Sequence, residues 1–192
     1  ARRELFAVGQ SGFKVPTNLR SIDQTNLSGI TGGADFVIVT PKEFTAEAGR
    51  LKAHREQRDS LTTLVASVED IFNEFSGGLP DPMAVRDFLV RAQGWQKVPR
   101  YVLLLGNGHY DYKNIRTSVR NWIPAYESVE SIHQIDSYAS DDHFAFLNAG
   151  NVRVSLGIGR IPVTSPEEAR VAVDRIISYE TASTFSPWRN RV

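Results

Sequence analysis

The sequence predicts an α/β fold, a mostly parallel sheet with helices on both faces. Short apolar, β-branched runs alternate with longer segments of helical periodicity from Ala34 onward. The strongest run, Tyr101-Val102-Leu103-Leu104-Leu105, ends at a glycine, as central parallel strands do. A chain of 192 residues suits one domain. It can bury roughly 70% of its unfolded surface without a disulfide or metal staple.

Residues 1–33 are rich in Gly, Ser, Thr and Asn and read as a lead-in arm, with a short strand at Leu5–Val8. Residues 34–192 carry the α/β pattern. Ala34–Val39 is a buried strand, closed by Thr40-Pro41. Phe44–Arg58 is a solvent-facing helix with Leu51 as its central apolar residue and His54 as a solvated side chain. Leu61–Ser67 is the second strand. Val68–Phe75 puts Val68, Ile71, Phe72 and Phe75 on one helical face, and Gly77-Gly78 stops it. Asp81-Pro82 supplies an N-cap and a first-turn proline for a helix to Ala92 that buries Val85, Phe88 and Leu89, with Met83 beside them.

After the strand Tyr101–Leu105, residues 106–140 form a long irregular segment with four of the six tyrosines. A loop of that length in a domain is functional or disordered, and its aromatic content argues for order. Val152–Ile158 is a further strand, interrupted at Gly157. Ser165-Pro166-Glu167-Glu168 opens the last helix as a capping box, with Glu168 returning to the Ser165 amide. That helix runs to about Glu180 and buries Ala169, Val173, Ile176 and Ile177. Trp188–Val192 reads as a polar turn leading into another strand.

Composition narrows the chemistry. Lys+Arg and Asp+Glu are both 22, and the basic residues are dispersed, which argues against a nucleic-acid partner. With no cysteine, the chain has no disulfide, no thiolate metal site and no thiol nucleophile of its own. No apolar run approaches the ~20 residues that span a bilayer.

Two clusters stand out. Gly106-Asn107-Gly108-His109-Tyr110-Asp111 follows the central strand, where parallel sheets gather ligands. Its glycines permit a sharp turn that leaves amides free. His109 and Asp111 are then a base and its orienter, or metal ligands; equally, Asp111 closes a structural turn on backbone amides. The third glycine of a dinucleotide loop is missing, which excludes that reading. Ser140-Asp141-Asp142-His143 offers hard oxygen ligands without EF-hand spacing. Asp111, Asp141 and Asp142 form a candidate Ca²⁺ set, converging at one sheet edge. The competing reading makes Asp141 a turn cap and Asp142 the partner of an arginine. His133 lies in a polar loop with no evident partner.

Several blocks in fixed order carry a family resemblance. They are Val68–Gly78, Asp81–Phe88, Pro99–Asp111, Ile123-Pro124-Ala125-Tyr126, Ser140-Asp141-Asp142, Gly159-Arg160-Ile161-Pro162-Val163, and Glu168-Ala169 through Tyr179-Glu180. Over about residues 34–192 the chain resembles the gingipain-type C25 cysteine peptidases. The likeness is strongest to the branch that acts as signal peptidase (sortase) of the Bacteroidetes type IX secretion system. The resemblance implies a caspase-like α/β fold of two subdomains, of which this is the first. The catalytic His and Cys of the family lie in the second, so no catalytic residue is assigned here. It implies protein or peptide substrates, the second subdomain as partner, no required cofactor, and export to the cell surface, outer membrane or exterior. An acidic residue near the start of the last helix helps form the family's specificity pocket, and Glu168 matches it by position. Asn107 stands where the family usually has Asp, and His109 where it has Ser. A stand-alone binding or scaffold module of the same fold is the alternative.

Overall fold

The computed structural model describes residues 7–9, 12–15, 19, 21–22, 25–113, 115–129, 135–148, 150 and 153–182. In chain order its elements are β1 (Phe36–Thr40), α1 (Thr45–Asp59), β2 (Thr63–Ser67), α2 (Val68–Phe75), α3 (Pro82–Ala92), β3 (Tyr101–Leu105), β4 (Tyr126–Glu127), β5 (Ala139–Ser140), β6 (Gly157–Ile161) and α4 (Pro166–Thr181). β1, β2, β3 and β6 make a parallel sheet in the order β2-β1-β3-β6, and β4 pairs antiparallel with β5. The predicted strand at Leu5–Val8 lies partly outside the described residues, and Ala7–Gly9 form no strand. Trp188–Val192 and His133 lie outside the described residues.

Strand periodicity divides the apolar side chains between two cores. Val37, Val39, Val102 and Leu104 face one core, which α2 and α3 close with Ile71, Val85, Phe88 and Leu89. Ile38 and Leu105 face the other, closed by Phe44, Ala48, Leu51, Ala169 and Val173 of the α1 and α4 side. Each fully buried side chain of this size contributes about 1.5–3 kcal/mol. Phe88 packs edge-on against Phe75 at 5.7 Å and Trp95 at 5.8 Å. Met83 stays half-buried outside that core, where Ala84 and Ala92 take up the space between helix and sheet. Ile176 and Ile177 are half-buried on the second core's margin.

Local signals start and stop the helices. The Ser67 hydroxyl accepts from the Asp70 amide at 3.2 Å, and the Asp81 carboxylate from the Met83 amide at 2.9 Å. Gly77 and Gly78 adopt φ 62° and 83°, and the Gly78 amide closes on the Phe72 carbonyl at 2.8 Å. Two details correct the sequence reading. His54 is not solvated: its side chain is 10% exposed and its Nε2 lies 2.6 Å from Glu180 of α4, which also takes Arg55 at 2.9 Å. The last strand runs from Gly157 to Ile161; of the predicted strand Val152–Ile158, Val152 lies outside the described residues and Arg153–Leu156 form no strand. The Ser155 amide is drawn to the Ala145 carbonyl and Leu156 enters the core, so pairing with β3 starts with Gly157 opposite Tyr101.

The order of connections sets where a ligand can bind. β1 leads through α1 to β2 on one side, whereas β3 leads to β6 on the other. The carboxyl ends of β1 and β3 are therefore a topological switch point, where open parallel sheets leave a crevice. Residues just before the sheet are tied down beside it. The Glu74 carboxylate accepts from the amides of Leu27 at 2.6 Å and Ser28 at 2.8 Å, and from the Thr25 hydroxyl at 3.0 Å. Among the described residues no helix is long and apolar enough to cross a membrane.

The capping of α4 departs from the expected box by one residue. The Ser165 hydroxyl accepts from the Glu168 amide at 3.1 Å, as expected. The Glu168 carboxylate returns to Thr164 instead of Ser165, taking its amide at 2.7 Å and its hydroxyl at 2.8 Å. In urea unfolding, Ser165→Ala is expected to cost about 1 kcal/mol. Glu168→Gln should cost less, because an amide oxygen still accepts both Thr164 donors.

Candidate functional site

The loop leaving β3 is held to the end of β6 and folds back on itself. The Gly106 amide donates to the Ile161 carbonyl at 3.0 Å, and the Asn107 amide to Val163 at 2.8 Å. The Asn107 carbonyl then accepts from Trp122 at 3.2 Å and Ile123 at 2.9 Å. These amides are not free, contrary to the sequence expectation. The need for glycine is steric at Gly108, where a Cβ would run into the Ile123 carbonyl oxygen.

Arg160, near the end of β6, joins four segments. Its Nε and Nη2 donate to the two Asp141 oxygens at 2.8 and 2.7 Å. Its Nη1 donates to the carbonyls of Gly106 at 2.9 Å and Ile123 at 2.8 Å. The side chains of the pair are 12% and 23% exposed. Only a planar guanidinium can serve a carboxylate side-on and two carbonyls at its other end. The sequence reading made Asp141 a candidate ligand and gave Arg160 no role of its own. The signal was present in the blocks around Gly106, Ile123, Asp141 and Arg160, which the fold brings to one point.

The candidate metal ligands do not converge. Asp111 is buried, and its oxygens accept from the amides of Ile115 at 2.9 Å, Arg116 at 2.7 Å and Thr117 at 2.9 Å. Burial opposes its ionisation, but the three amides outweigh that and hold its carboxyl below the usual range. Asp141 belongs to Arg160. Asp142 is exposed at the start of the short turn Asp142–Ala145. Among the described residues no three His, Asp or Glu side chains come together so as to hold a metal ion. His109 is not a base oriented by Asp111. Its Nδ1 accepts from the Asp111 amide at 3.2 Å and its Nε2 donates to the Val119 carbonyl at 3.1 Å, so its ring staples the loop. His143 stacks on Tyr126 at 3.5 Å; burial and the nearby Arg86 charge lower its pKa.

A cleft of about 650 Å³ opens at the switch point. Lys42 and Glu43 line it from behind β1, Val68, Glu69 and Phe72 from α2, and Trp122 from the loop after β3. Trp122 rests on the fully buried Phe44 ring at 4.6 Å, which fixes the indole as a wall. Glu168, the residue matched to a specificity role, is exposed at the α4 N-terminus and does not line this cleft. Its carboxyl is held below its usual pKa by the Thr164 amide and hydroxyl.

Removing the Arg160 fork strands a carboxylate and two carbonyls together. Arg160→Met is expected to cost on the order of 3 kcal/mol in urea unfolding, and Arg160→Lys most of that, since an ammonium cannot span both sites. Melting in millimolar Ca²⁺ and in chelator should coincide. Binding at a hundredfold excess over Kd would add about 2.7 kcal/mol and be plainly visible.

The model of peptidase family C25 matches residues 30–192. No curated protein sequence matches the chain. Among solved structures, the chain is similar to dimeric latent PorU from Porphyromonas gingivalis. Identity is 30% and the TM-score 0.71, over 83% of this chain and 17% of that one. It is also similar to gingipain R, an Arg specific cysteine proteinase, at 21% identity and a TM-score of 0.56, over 78% of this chain and 28% of that one. At that identity the second likeness speaks to the fold alone, and the chain spans a minor part of either protein's length. The fold is the caspase-like α/β fold of these proteins. The family match runs from the last arm residues through the sheet, the cleft and the Arg160 junction: the chain belongs to peptidase family C25.

Proposed function

We propose that this chain is the first, scaffold subdomain of a C25 cysteine endopeptidase that is exported and processes secreted proteins. The thiolate and its histidine base come from a second subdomain of the same parent. The observation that carries this reading is a family match across residues 30–192 of a chain with no cysteine. In the parent, the histidine takes the thiol proton as sulfur attacks the peptide carbonyl. The amine leaves with that proton, and water then hydrolyses the thioester. This subdomain contributes position: Arg160 and the Asn107 bonds hold the rim loops against which a second subdomain and a peptide can pack. Glu168 serves the helix cap in this reading, with its carboxylate committed to Thr164. The alternative, a non-catalytic binding module, is favoured by the two cores that this chain closes with its own helices.

The test uses a mixed peptide pool, the full-length parent and the isolated 192-residue chain. The parent is expected to cleave, and iodoacetamide to abolish cleavage. The isolated chain should cleave nothing. A parent that stays inactive favours the binding module, and alkylation-sensitive turnover by clean isolated chain contradicts the division into two subdomains.

A further inference from the structure

The loop between Gly108 and Asn121 is braced on its inside and apolar on its outside. Asp111 gathers the amides of Ile115, Arg116 and Thr117, and His109 joins the Asp111 amide to the Val119 carbonyl. The Val119 amide donates to the Thr117 hydroxyl at 3.0 Å. These bonds bring three large apolar side chains into one turn and leave them in solvent: Tyr110 is 59% exposed, Ile115 78% and Val119 60%. The Tyr110 ring stands edge-on at 6.4 Å to His109, the same ring that holds Val119. Single apolar side chains scattered over a surface need no explanation, but several on one preorganised loop mark a contact surface.

The charges this loop offers have one sign. Its single carboxylate, Asp111, is buried and committed to amides. Lys113 and Arg116 are exposed, and among the described residues neither meets a carboxylate. Lys113 only leans over the Tyr112 ring, at 5.7 Å. Arg120 is already engaged: its Cζ lies 3.8 Å from the centre of the Trp122 ring and its Nη2 2.7 Å from Glu43. Tyr112 carries the loop into the cleft, whose wall it shares with Arg120 and Trp122. A concave cleft that opens onto such a loop suits an extended chain better than a flat bilayer. Recognition of anionic lipid also takes a cluster of about four to eight basic residues, more than the pair this loop leaves open.

We propose that Tyr110, Lys113, Ile115, Arg116 and Val119 form a docking surface for an acidic polypeptide segment that carries apolar anchors. That the partner is a polypeptide rests in part on the peptidase reading above; its acidic and apolar character rests on the loop itself. Partner carboxylates meet Lys113 and the guanidinium fork of Arg116. Ile115, Tyr110 and Val119 supply the contact that excludes water. The bonds of Asp111 and His109 order the loop beforehand, so docking does not have to.

The test follows the amide NMR signals of Ile115, Arg116 and Val119 in the 192-residue chain. The chain is titrated with the acetylated peptide amide Asp-Leu-Glu-Phe-Asp-Leu-Glu and with its counterpart bearing Lys at every acidic position. The acidic peptide is expected to saturate those shifts and the lysine peptide to leave them in place. Lys113→Glu with Arg116→Glu should weaken the acidic peptide about tenfold. Ile115→Ser should weaken it about fivefold and keep the preference for acid. Added sodium chloride should weaken binding to the unsubstituted chain, which tests the charge requirement without any variant. Equal binding of the two peptides, saturation with neither, or shifts confined to residues away from this loop overturns the proposal. Co-sedimentation with phosphatidylglycerol vesicles in place of peptide binding overturns it in favour of a lipid surface. Such results leave the peptidase reading standing, because that is decided by alkylation of the full-length parent. A parent without a thiol nucleophile leaves this binding comparison standing.

Discussion

The guanidinium of Arg160 is the constraint on which the carboxyl rim of the sheet depends. Backbone ladders end with the strands, yet the loops beyond them must still satisfy buried carbonyls. Gly106 and Ile123 each present one, and Asp141 brings a charge into the same space. One planar fork serves all three, so the turn after β3, the Ile123-Pro124 stretch and the acidic turn before Asp142 share a single geometry. Gly108 is the steric corollary, since the loops close so tightly that no side chain fits between them.

That rigidity separates scaffold from chemistry. The histidines and aspartates that look catalytic in sequence are consumed in holding loops: His109 bridges two backbone groups and Asp111 gathers three amides. A site that must be held within a fraction of an ångström needs such supporting bonds. The open volume lies instead at the switch point between β1 and β3, where connections leave in opposite directions, and is walled by the turn after β1, by α2 and by the Trp122 loop.

Away from that rim, the second core is sealed by ion pairs between α1 and α4. Arg50 meets Asp174 at 2.6 Å, and Arg55 with His54 meets Glu180. Apolar surface is scarce on α1, where Ala48 and Leu51 alone are fully buried. The charged pairs therefore set how the two helices lie against each other, while burial of Ile38, Phe44 and Leu105 supplies the stabilisation.

Much of this was legible along the chain. β3, α2 and α3 fall where periodicity and caps predicted them, since a strand's alternation, an N-cap hydroxyl and a glycine stop act within a few residues. The family likeness was legible too, as ordered blocks. What the sequence by itself determined was therefore the α/β fold, its capped helices and its kinship. Tertiary structure alone decided the partners. It set the start of β6, through the pull of Ala145 on Ser155, and the burial of His54 against Glu180, 126 positions away. It gave Asp141 to Arg160, 19 positions on, and brought Arg120 over Trp122 beside Glu43. Such contacts join residues whose separation carries no period, so only the packed sheet brings them within reach.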